Sequence, residues 1–441
     1  MEHKLERHGV TATYPVGYSV GAGIVGYSYV VRVGAYLFQS PLSYYTQTRG
    51  WDFTPGYETD SHLDFTHEIT SGCLFCHTGS VNLAAAGANQ FAEPPFTPIS
   101  CERCHGSSAA HLRKPVPGSI VNPAKLPLRE RDSVCEQCHL EGVTRILNPG
   151  RDWWDFQPGQ PAEKTFVTYL GPSNRSNLRA VSQSELLAQS QCARQSGGRL
   201  WCGTCHNPHA AESGRATAVR QACLSCHESL FSSGRHRAAE ECVSCHMPRI
   251  RAGNVTHAAV TDHSIPRQPL TPAQETGGSV PQLRAWREPE LGLVARDLGL
   301  AYFELATDEH AAADLNQAYR ILSRLPPDEA DDPPVDADLA SLMLVQNQPG
   351  SAIQLFERAS AQQPGNARYA YCLGVALWRA GRVGEAIKAL TRGIQLDPSL
   401  PDAYLELAQL YQKIGQASES RRVIQEYLRF MPQNIRLRSA D

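Results

Sequence analysis

The C-terminal third of the chain shows a strong helical pattern of apolar and polar positions. From residue 291 onward alanine, leucine and glutamine dominate, and apolar residues recur with the period of an α-helix. The pattern itself repeats every 34 residues, because proline recurs at positions 364, 398 and 432. Small residues recur with the same spacing at Ala340, Gly374 and Ala408, and at Ala352, Ala386 and Ser420. We therefore predict stacked helical pairs at 335–366, 367–400 and 401–434, capped by a degenerate pair at 291–325.

The rest of the chain has less regular patterns. Thr11–Pro15, Tyr27–Val33 and Tyr36–Gln39 are β-branched and aromatic runs punctuated by glycine, which predicts a small antiparallel sheet. Residues 60–268 are rich in proline, glycine and polar residues and show weak periodicity, which indicates an irregular, mainly helical domain. The predicted fold is mixed: a β-rich N-terminal segment at 1–59, that irregular domain at 60–268, a linker at 269–290 and an all-α solenoid at 291–441.

Charge and hydropathy narrow the range of partners. The net charge of −3 and the pI of 6.6 favour neither nucleic acid nor an anionic membrane as a partner. The Val20–Phe38 stretch is fairly apolar, but Arg32 and four glycines interrupt it, so we predict no transmembrane segment. Residues 1–8 carry charges of both signs and precede no apolar run with a cleavage site, so no export signal is visible.

Six copies of Cys-x-x-Cys-His lie in the irregular domain. Motifs 1 to 6 have the cysteine pairs Cys73 and Cys76, Cys101 and Cys104, Cys135 and Cys138, Cys202 and Cys205, Cys223 and Cys226, and Cys242 and Cys245. The pattern is typical of c-type haem attachment, in which two thiols bind one haem and the adjacent histidine binds its iron. The predicted proximal ligands are His77, His105, His139, His206, His227 and His246. We predict six covalently attached haem c groups, with zinc sites or redox thiols as the alternative.

Two cysteines and one long gap fall outside this regular pattern. Cys192 and Cys372 belong to no motif, and we interpret them as buried thiols, with a disulfide as the alternative. Successive motif histidines are 28, 34, 67, 21 and 19 residues apart. Short gaps force neighbouring haems close together. The 67-residue gap between His139 and His206 is interpreted as separating two haem clusters. It contains a predicted short helix, Ser182–Gln195.

Additional histidines provide candidates for the second axial ligand of each iron. Methionine ligation is not expected, because the chain has only four methionines and none is suitably placed. A histidine in that position gives a low-spin haem suited to carrying electrons, whereas an open position can bind a substrate. The candidate distal ligands are His62, His67, His111, His209, His236, His257 and His263.

These motifs resemble two known families. The 34-residue period resembles the tetratricopeptide repeat. The Cys-His-Gly, Cys-His-Asn-Pro-His and Cys-His-Met-Pro-Arg segments make residues 60–268 similar to multihaem c-type cytochromes of the nitrite-reductase and hydroxylamine-oxidoreductase-associated group. Forms fused to C-terminal repeats are similar over essentially the whole chain. The resemblance implies that His209 ligates a neighbouring haem.

The haem attachment motifs suggest a location, and the resemblance suggests a missing segment. Haem attachment of this type takes place outside the cytoplasmic membrane, so a periplasmic or extracellular protein is expected. Members of the group carry a further Cys-x-x-Cys-His ahead of the β-rich segment, and the surplus histidine here would serve that upstream haem. We therefore expect the start of this chain to be truncated.

Two functions of different classes remain open. The first is electron transfer along bis-histidine haems, with the repeats docking a redox partner protein, binding a peptide in their groove or driving self-assembly. The second is a reductase or oxidase of a small nitrogen or sulfur compound at one open-site haem. The excess of candidate distal histidines and the absence of a Cys-x-x-Cys-Lys motif favour electron transfer. No catalytic residue is predicted.

Overall fold

The chain folds into two compact units. The computed structural model describes residues 1–7, 10–21, 23–57, 64–84, 89–171, 179–210, 215–232, 241–255, 257–267, 282–309 and 311–438. One unit combines Met1–Ile99 with Gly292–Asp441, and the other is Ser100–Leu291. This division differs from the predicted domain limits, because the segment up to Ile99 folds with the N-terminal sheet and the repeats. Motif 1 therefore lies in the first unit and motifs 2 to 6 lie in the second.

An antiparallel sheet forms the N-terminal part of the first unit. Its strands are β1 Glu2–Arg7, β2 Val10–Val20, β3 Gly26–Val33, β4 Tyr36–Gln39, β5 Leu42–Tyr45 and β6 Gly50–Phe53. They pair in the order β1-β2-β3-β5-β6, and β4 also pairs with β3. Helix α1, Ser71–His77, and the hairpin of β7, Ser80–Leu83, and β8, Phe91–Thr97, follow. The predicted sheet is confirmed.

The second unit has short helices and little sheet, as the weak periodicity predicted. Its helices are α2 Glu102–His105, α3 Ala109–Arg113, α4 Leu128–His139, α5 Gln183–Gln189, α6 Gln191–Gln195, α7 Cys202–Cys205, α8 Arg215–Ser232 and α9 Cys242–His246. Its strands are β9 Thr144–Leu147, β10 Phe166–Leu170, β11 Arg249–Arg251, β12 Ala259–Thr261 and β13 Arg284–Ala285. Short 3₁₀ turns lie at Pro123–Lys125, Trp153–Asp155 and Ala162–Lys164.

Part of the predicted linker is structured. Residues 268–281 lie outside the described part of the chain. Strand β13, which falls within the predicted range 269–290, pairs with β10 at Tyr169 and Leu170. The proline and glycine content that suggested a linker therefore does not extend through its last residues.

The repeat region follows the predicted phase closely. Its helices are α10 Val294–Glu309, α11 Ala312–Leu322, α12 Pro327–Ala330, α13 Pro333–Val345, α14 Pro349–Gln362, α15 Ala367–Arg379, α16 Val383–Leu396, α17 Pro401–Lys413, α18 Ala417–Phe430 and α19 Ile435–Arg438. The three predicted pairs are α13 with α14, α15 with α16 and α17 with α18, and the capping pair is α10 with α11. Gly381 and Gly415 have φ of +78° and +81° at the turns inside two pairs, where glycine carries no steric cost. Among the described residues, no helix combines the length and the apolar character needed to span a membrane.

Small residues let the two helices of a pair approach closely. Ala340 and Ala408 are buried, and Gly374 occupies the equivalent position in the middle pair. A Cβ atom added at Gly374 would lie 2.7 Å from Cγ of Leu390 in the partner helix. The recurrence of small residues in the sequence therefore reflects a steric requirement.

Gly374→Ala is expected to lower the free energy of unfolding by about 1–3 kcal/mol, because the added methyl group overpacks this contact. Gly384→Ala in α16 is the matched control, since a Cβ atom there meets nothing within 4 Å. The control should be neutral or stabilise the helix by up to about 1 kcal/mol. Denaturant unfolding followed by far-ultraviolet circular dichroism measures both variants, and equal losses would contradict the predicted close contact.

Within the first unit the N-terminal sheet packs against the last repeats. Tyr14, Phe38 and Phe65 share one buried core with Tyr404 and Tyr427 of the repeats. Separately, the ring of Tyr36 meets that of Phe430 edge-on at 5.3 Å. Apolar residues from the two ends of the chain therefore fold as one body, which the local sequence pattern did not predict.

Candidate functional site

Each Cys-x-x-Cys-His motif lies on a helical turn. Motifs 1, 2, 3 and 6 end the helices α1, α2, α4 and α9, motif 4 forms α7, and motif 5 lies inside α8. Two cysteines three positions apart on a helix project from the same face. All twelve motif thiols are free of disulfides. The turn therefore presents two thiols side by side and a histidine next to them, which fits the two vinyl groups and the iron of one haem.

The thiols of motifs 3 and 4 touch one another. The Cys135 and Cys202 thiols are within hydrogen-bonding distance, and this bond raises the pKa of Cys135 and lowers that of Cys202. The interpretation that the 67-residue gap separates two haem clusters is therefore wrong for these two motifs. The gap contains the β9–β10 hairpin and the helices α5 and α6, and it returns the chain to α4. The predicted helix at Ser182–Gln195 is two short helices, α5 and α6.

The other motifs of the second unit continue this series. Cys104 of motif 2 is close enough to Cys135 to contribute to its raised pKa. Burial raises the pKa of Cys223 in motif 5 to about 11, and the nearby thiols of Cys242 and Cys205 add to the shift. In space, each of motifs 2 to 6 therefore lies next to the motif that precedes or follows it in the sequence.

One face of helix α4 holds motif 4 against motif 3. Leu128, Arg131 and Cys135 follow the spacing of one helical face. The Arg131 guanidinium donates to the Gly198 carbonyl at 3.1 Å and lies 4.9 Å from the ring centre of Trp201. Arg131 did not stand out in the sequence, although its position four residues before Cys135 is the signal that could have identified it.

Two pairs of histidine rings lie close together. The rings of His105 and His209 have centres 5.8 Å apart and planes 16° apart. Those of His206 and His263 are 6.2 Å and 30° apart. Metal–imidazole bonds of about 2 Å place two rings on opposite sides of one metal with centres about 6 Å apart. Both pairs therefore have the spacing of two axial ligands of one iron, and both join a motif histidine to a predicted distal candidate.

Hydrogen bonds at Nδ1 determine which ring nitrogen carries the proton in three histidines. Nδ1 of His105 donates to the Val121 carbonyl at 2.7 Å, and Nδ1 of His246 donates to the Pro266 carbonyl at 3.0 Å. Nδ1 of His263 donates to the Thr261 carbonyl at 2.9 Å. A carbonyl can only accept, so the proton must be on Nδ1 and the lone pair on Nε2. This arrangement is the usual support for a metal-binding histidine.

The other candidate distal histidines have different surroundings. His67 lies in the first unit and stacks on Tyr57 with ring centres 4.1 Å apart. Nδ1 of His111 is 2.8 Å from the Ser119 hydroxyl. His257 is exposed and has a φ of +57°. His62 and His236 lie outside the described residues.

A buried carboxylate lies inside motif 3. Glu136 accepts hydrogen bonds from both terminal nitrogens of Arg287, at 2.6 and 2.8 Å, and from the Trp286 ring nitrogen at 3.1 Å. Burial raises the pKa of its carboxyl to about 7, although Arg287 opposes this shift. Arg145 donates to the Gln137 and Leu140 carbonyls at 2.8 and 3.0 Å. These contacts fix the attachment turn, and the sequence pattern gave no sign of them.

The two cysteines outside the motifs form no disulfide. Cys372 is half-buried in the repeats, and burial raises the pKa of its thiol to about 11. Cys192, also half-buried, lies near enough to Cys205 to contribute to the raised pKa of that thiol. Both residues are free thiols, and the alternative of a disulfide is wrong.

Four protein-family models match parts of the chain. Residues 50–106 match the cytochrome c554 and c-prime family, and residues 194–231 match the doubled CXXCH motif. Residues 338–401 and 377–440 each match a tetratricopeptide-repeat model. The matches to the cytochrome and doubled-CXXCH models include motifs 1, 2, 4 and 5, and the others cover the predicted repeats.

The curated relatives each match a part of the chain. An inactive TPR repeat-containing thioredoxin of Arabidopsis thaliana is 40% identical over 73 residues, which are 17% of this chain and 11% of that protein. The FK506-binding protein-like protein of Homo sapiens is 29% identical over 160 residues, which are 36% of this chain and 46% of that protein. The chain thus spans less than half the length of either relative.

Solved structures of MamA match about a third of the chain. One crystal structure of MamA is 21% identical and covers 31% of this chain and 77% of its own, with a TM-score of 0.28. MamA from Desulfovibrio magneticus is 15% identical and covers 30% of this chain and 76% of its own, also with a TM-score of 0.28.

Proposed function

We propose that this chain, a multihaem c-type cytochrome fused to C-terminal tetratricopeptide repeats, carries electrons along six covalently attached and mostly bis-histidine haems. Covalently bound haem c is supported by the cytochrome and doubled-CXXCH matches. The count of six rests on the six motifs, each on a helical turn. When bound, each haem iron would supply a one-electron redox couple whose potential depends on its axial ligands and surroundings.

The contact series of the motif thiols carries this proposal. Cys135 is a neighbour of both Cys104 and Cys202, and Cys223 is a neighbour of both Cys205 and Cys242. Cys135 and Cys202 would each hold a haem, and their thiols interact with one another, so the two haems would be attached at neighbouring points. Electron tunnelling falls steeply with distance, and such spacing suits a continuous path through the second unit.

The two close pairs of histidine rings support an assignment of axial ligands. We assign His105 and His209 to the iron of motif 2, and His206 and His263 to the iron of motif 4, because of their ring spacing. The remaining irons take their second ligands from the other candidate histidines, His62, His67, His111, His236 and His257. Two histidine ligands leave no open position for a substrate, which favours a carrier over a catalyst.

The location and the partners complete the proposal. Haem attachment to Cys-x-x-Cys-His takes place outside the cytoplasmic membrane, so we place the protein in the periplasm or outside the cell. Tetratricopeptide repeats present a groove that binds protein segments, and we propose that they dock a redox partner or a second copy of this chain.

A redox titration of the holoprotein at a poised electrode tests the carrier function. All the haem absorbance should reduce and reoxidise reversibly, and adding nitrite, hydroxylamine or sulfite to the reduced protein should consume none of the added compound. Consumption matched by oxidation of the haems would instead identify a reductase with an open-site haem.

Arg131→Met is expected to loosen motif 4 from helix α4. The variant loses the hydrogen bond to Gly198, which is worth about 1.5–3 kcal/mol for a charged donor. The Soret circular dichroism that arises from coupling between haems should weaken, while six haems remain bound. Arg129→Met is the matched control, because Arg129 lies on the same helix and bonds Glu163 at 3.0 Å. An equal Soret change in both variants would contradict the proposed role of Arg131.

A further inference from the structure

A short connecting segment, residues 64–70, leads directly into motif 1. On one side it pairs with the sheet: the Gln39 amide donates to the His67 carbonyl at 2.8 Å, and the Ile69 amide donates to the Leu37 carbonyl at 2.9 Å. Between these two bonds, Glu68 forms a β-bridge with Phe38. The backbone before the first haem attachment turn is therefore held in register with strand β4.

On the other side the connecting segment is held by the repeats. The Ser399 hydroxyl donates to the Glu68 carboxylate. Ser399 is fully buried in the turn between α16 and α17 and also lies 2.6 Å from the Asp397 carboxylate. The amide of Asn89 donates to the second Glu68 oxygen at 3.3 Å. Glu68 is half-buried, and burial raises the pKa of its carboxyl.

Packing adds to these polar contacts. Phe65 lies against Tyr14, with ring centres 4.8 Å apart, and belongs to the core shared with the repeats. At the other end of the segment, the Thr70 side chain caps α1 by accepting from the Cys73 amide at 3.4 Å. Leu74 and Phe75 of α1 are buried. Every residue between Glu68 and Cys73 is thus held by a hydrogen bond to β4, by the cap of α1 or by α1 itself.

We propose that Glu68 and Ser399 are positioning residues through which the repeats hold the haem of motif 1. The inference rests on the proposed attachment of a haem to Cys73 and Cys76 and assigns the repeats a role besides docking. A small shift of the turn at Ser399 would reach the attachment turn through Glu68, because β4 on one side and the repeats on the other constrain the segment. The haems of motifs 2 to 6 belong to the other compact unit and should not respond.

Ser399→Ala in the full-length holoprotein tests this proposal. A Cys73→Ala/Cys76→Ala variant first identifies the spectrum and the midpoint potential of the motif 1 haem by difference. In Ser399→Ala that haem should change its electron paramagnetic resonance g values. Its ratio of oxidised to reduced form at the wild-type midpoint should change about threefold, which is about 30 mV for one electron. Ser341→Ala is the control, since that hydroxyl donates to the Ala337 carbonyl of its own helix at 2.8 Å.

Variants of Glu68 provide an independent test of the same interaction. Glu68→Ala should reproduce the change, and combining it with Ser399→Ala should add nothing further, because both remove one interaction. Glu68→Gln keeps an acceptor for the Ser399 hydroxyl, should show a smaller change, and remains usable if Ser399→Ala does not fold. An unchanged motif 1 haem, or equal shifts in all haems, would overturn the proposal. Failure of the carrier function would appear separately, as irreversible titration of the wild type.

Discussion

Cys202→Ala/Cys205→Ala is expected to divide the haem series of the second unit in two. Motif 4 is the neighbour of motif 3 through Cys202 and of motif 5 through Cys205. Losing its haem leaves motifs 2 and 3 on one side and motifs 5 and 6 on the other. Electron equilibration across the unit should slow by orders of magnitude, because tunnelling falls steeply as the gap widens.

The matched control removes a haem from the end of the series. Cys242→Ala/Cys245→Ala should also lower the proposed haem content from six to five, but among the described motif thiols motif 6 is a neighbour only of motif 5, through Cys223. Pyridine haemochrome assays should give the same haem content for both variants. Rapid mixing with a limiting amount of reductant should then show slow redistribution only in the motif 4 variant. Identical kinetics would contradict the contact order.

His209→Ala and His263→Ala should each convert one low-spin haem to a high-spin haem. Under the proposed assignment, each variant removes one ring of a histidine pair and would leave its iron with a single protein ligand. The electron paramagnetic resonance spectrum should gain one high-spin signal per protein, and the reduced protein should bind carbon monoxide at one haem. Asn207→Ala, in the same loop as His209, should keep the low-spin spectrum, because the Asn207 side chain accepts from the backbone amide of His209, at 3.0 Å, and leaves the His209 ring in place.

A combined variant identifies which haem His209 serves. Adding Cys101→Ala/Cys104→Ala to His209→Ala should abolish the new high-spin signal, since the haem of motif 2 is then absent. Persistence of that signal would assign His209 to another iron. The same design with Cys202→Ala/Cys205→Ala tests the assignment of His263 to motif 4.

The haem attachment motifs and the period of the repeats could be predicted from the sequence. The Cys-x-x-Cys-His spacing identified haem attachment, because the thiols and the ligand must lie on one turn. The recurrence of small residues such as Gly374 identified the repeats, because their helices cross closely. Both features depend on residues near one another in the chain, so a sequence pattern can reveal them.

Long-range contacts were not readable in the same way. The long gap before motif 4 suggested two separate haem clusters. However, the β9–β10 hairpin and the helices α5 and α6 bring Cys202 back to Cys135. The pairing of His105 with His209, and the contact of Glu68 with Ser399, depend on where the chain returns after many residues. Sequence separation alone does not determine such contacts. The sequence can therefore identify a candidate residue without identifying the residue that it contacts in the fold.

The most direct test of the central claim is an electron paramagnetic resonance spectrum of the oxidised holoprotein, quantified against haem content by pyridine haemochrome. We predict six haems per chain, with low-spin signals throughout. Fewer than six haems would contradict the motif count. A stoichiometric high-spin signal that shifts when nitrite, hydroxylamine or sulfite is added would contradict the carrier function and identify a catalytic haem.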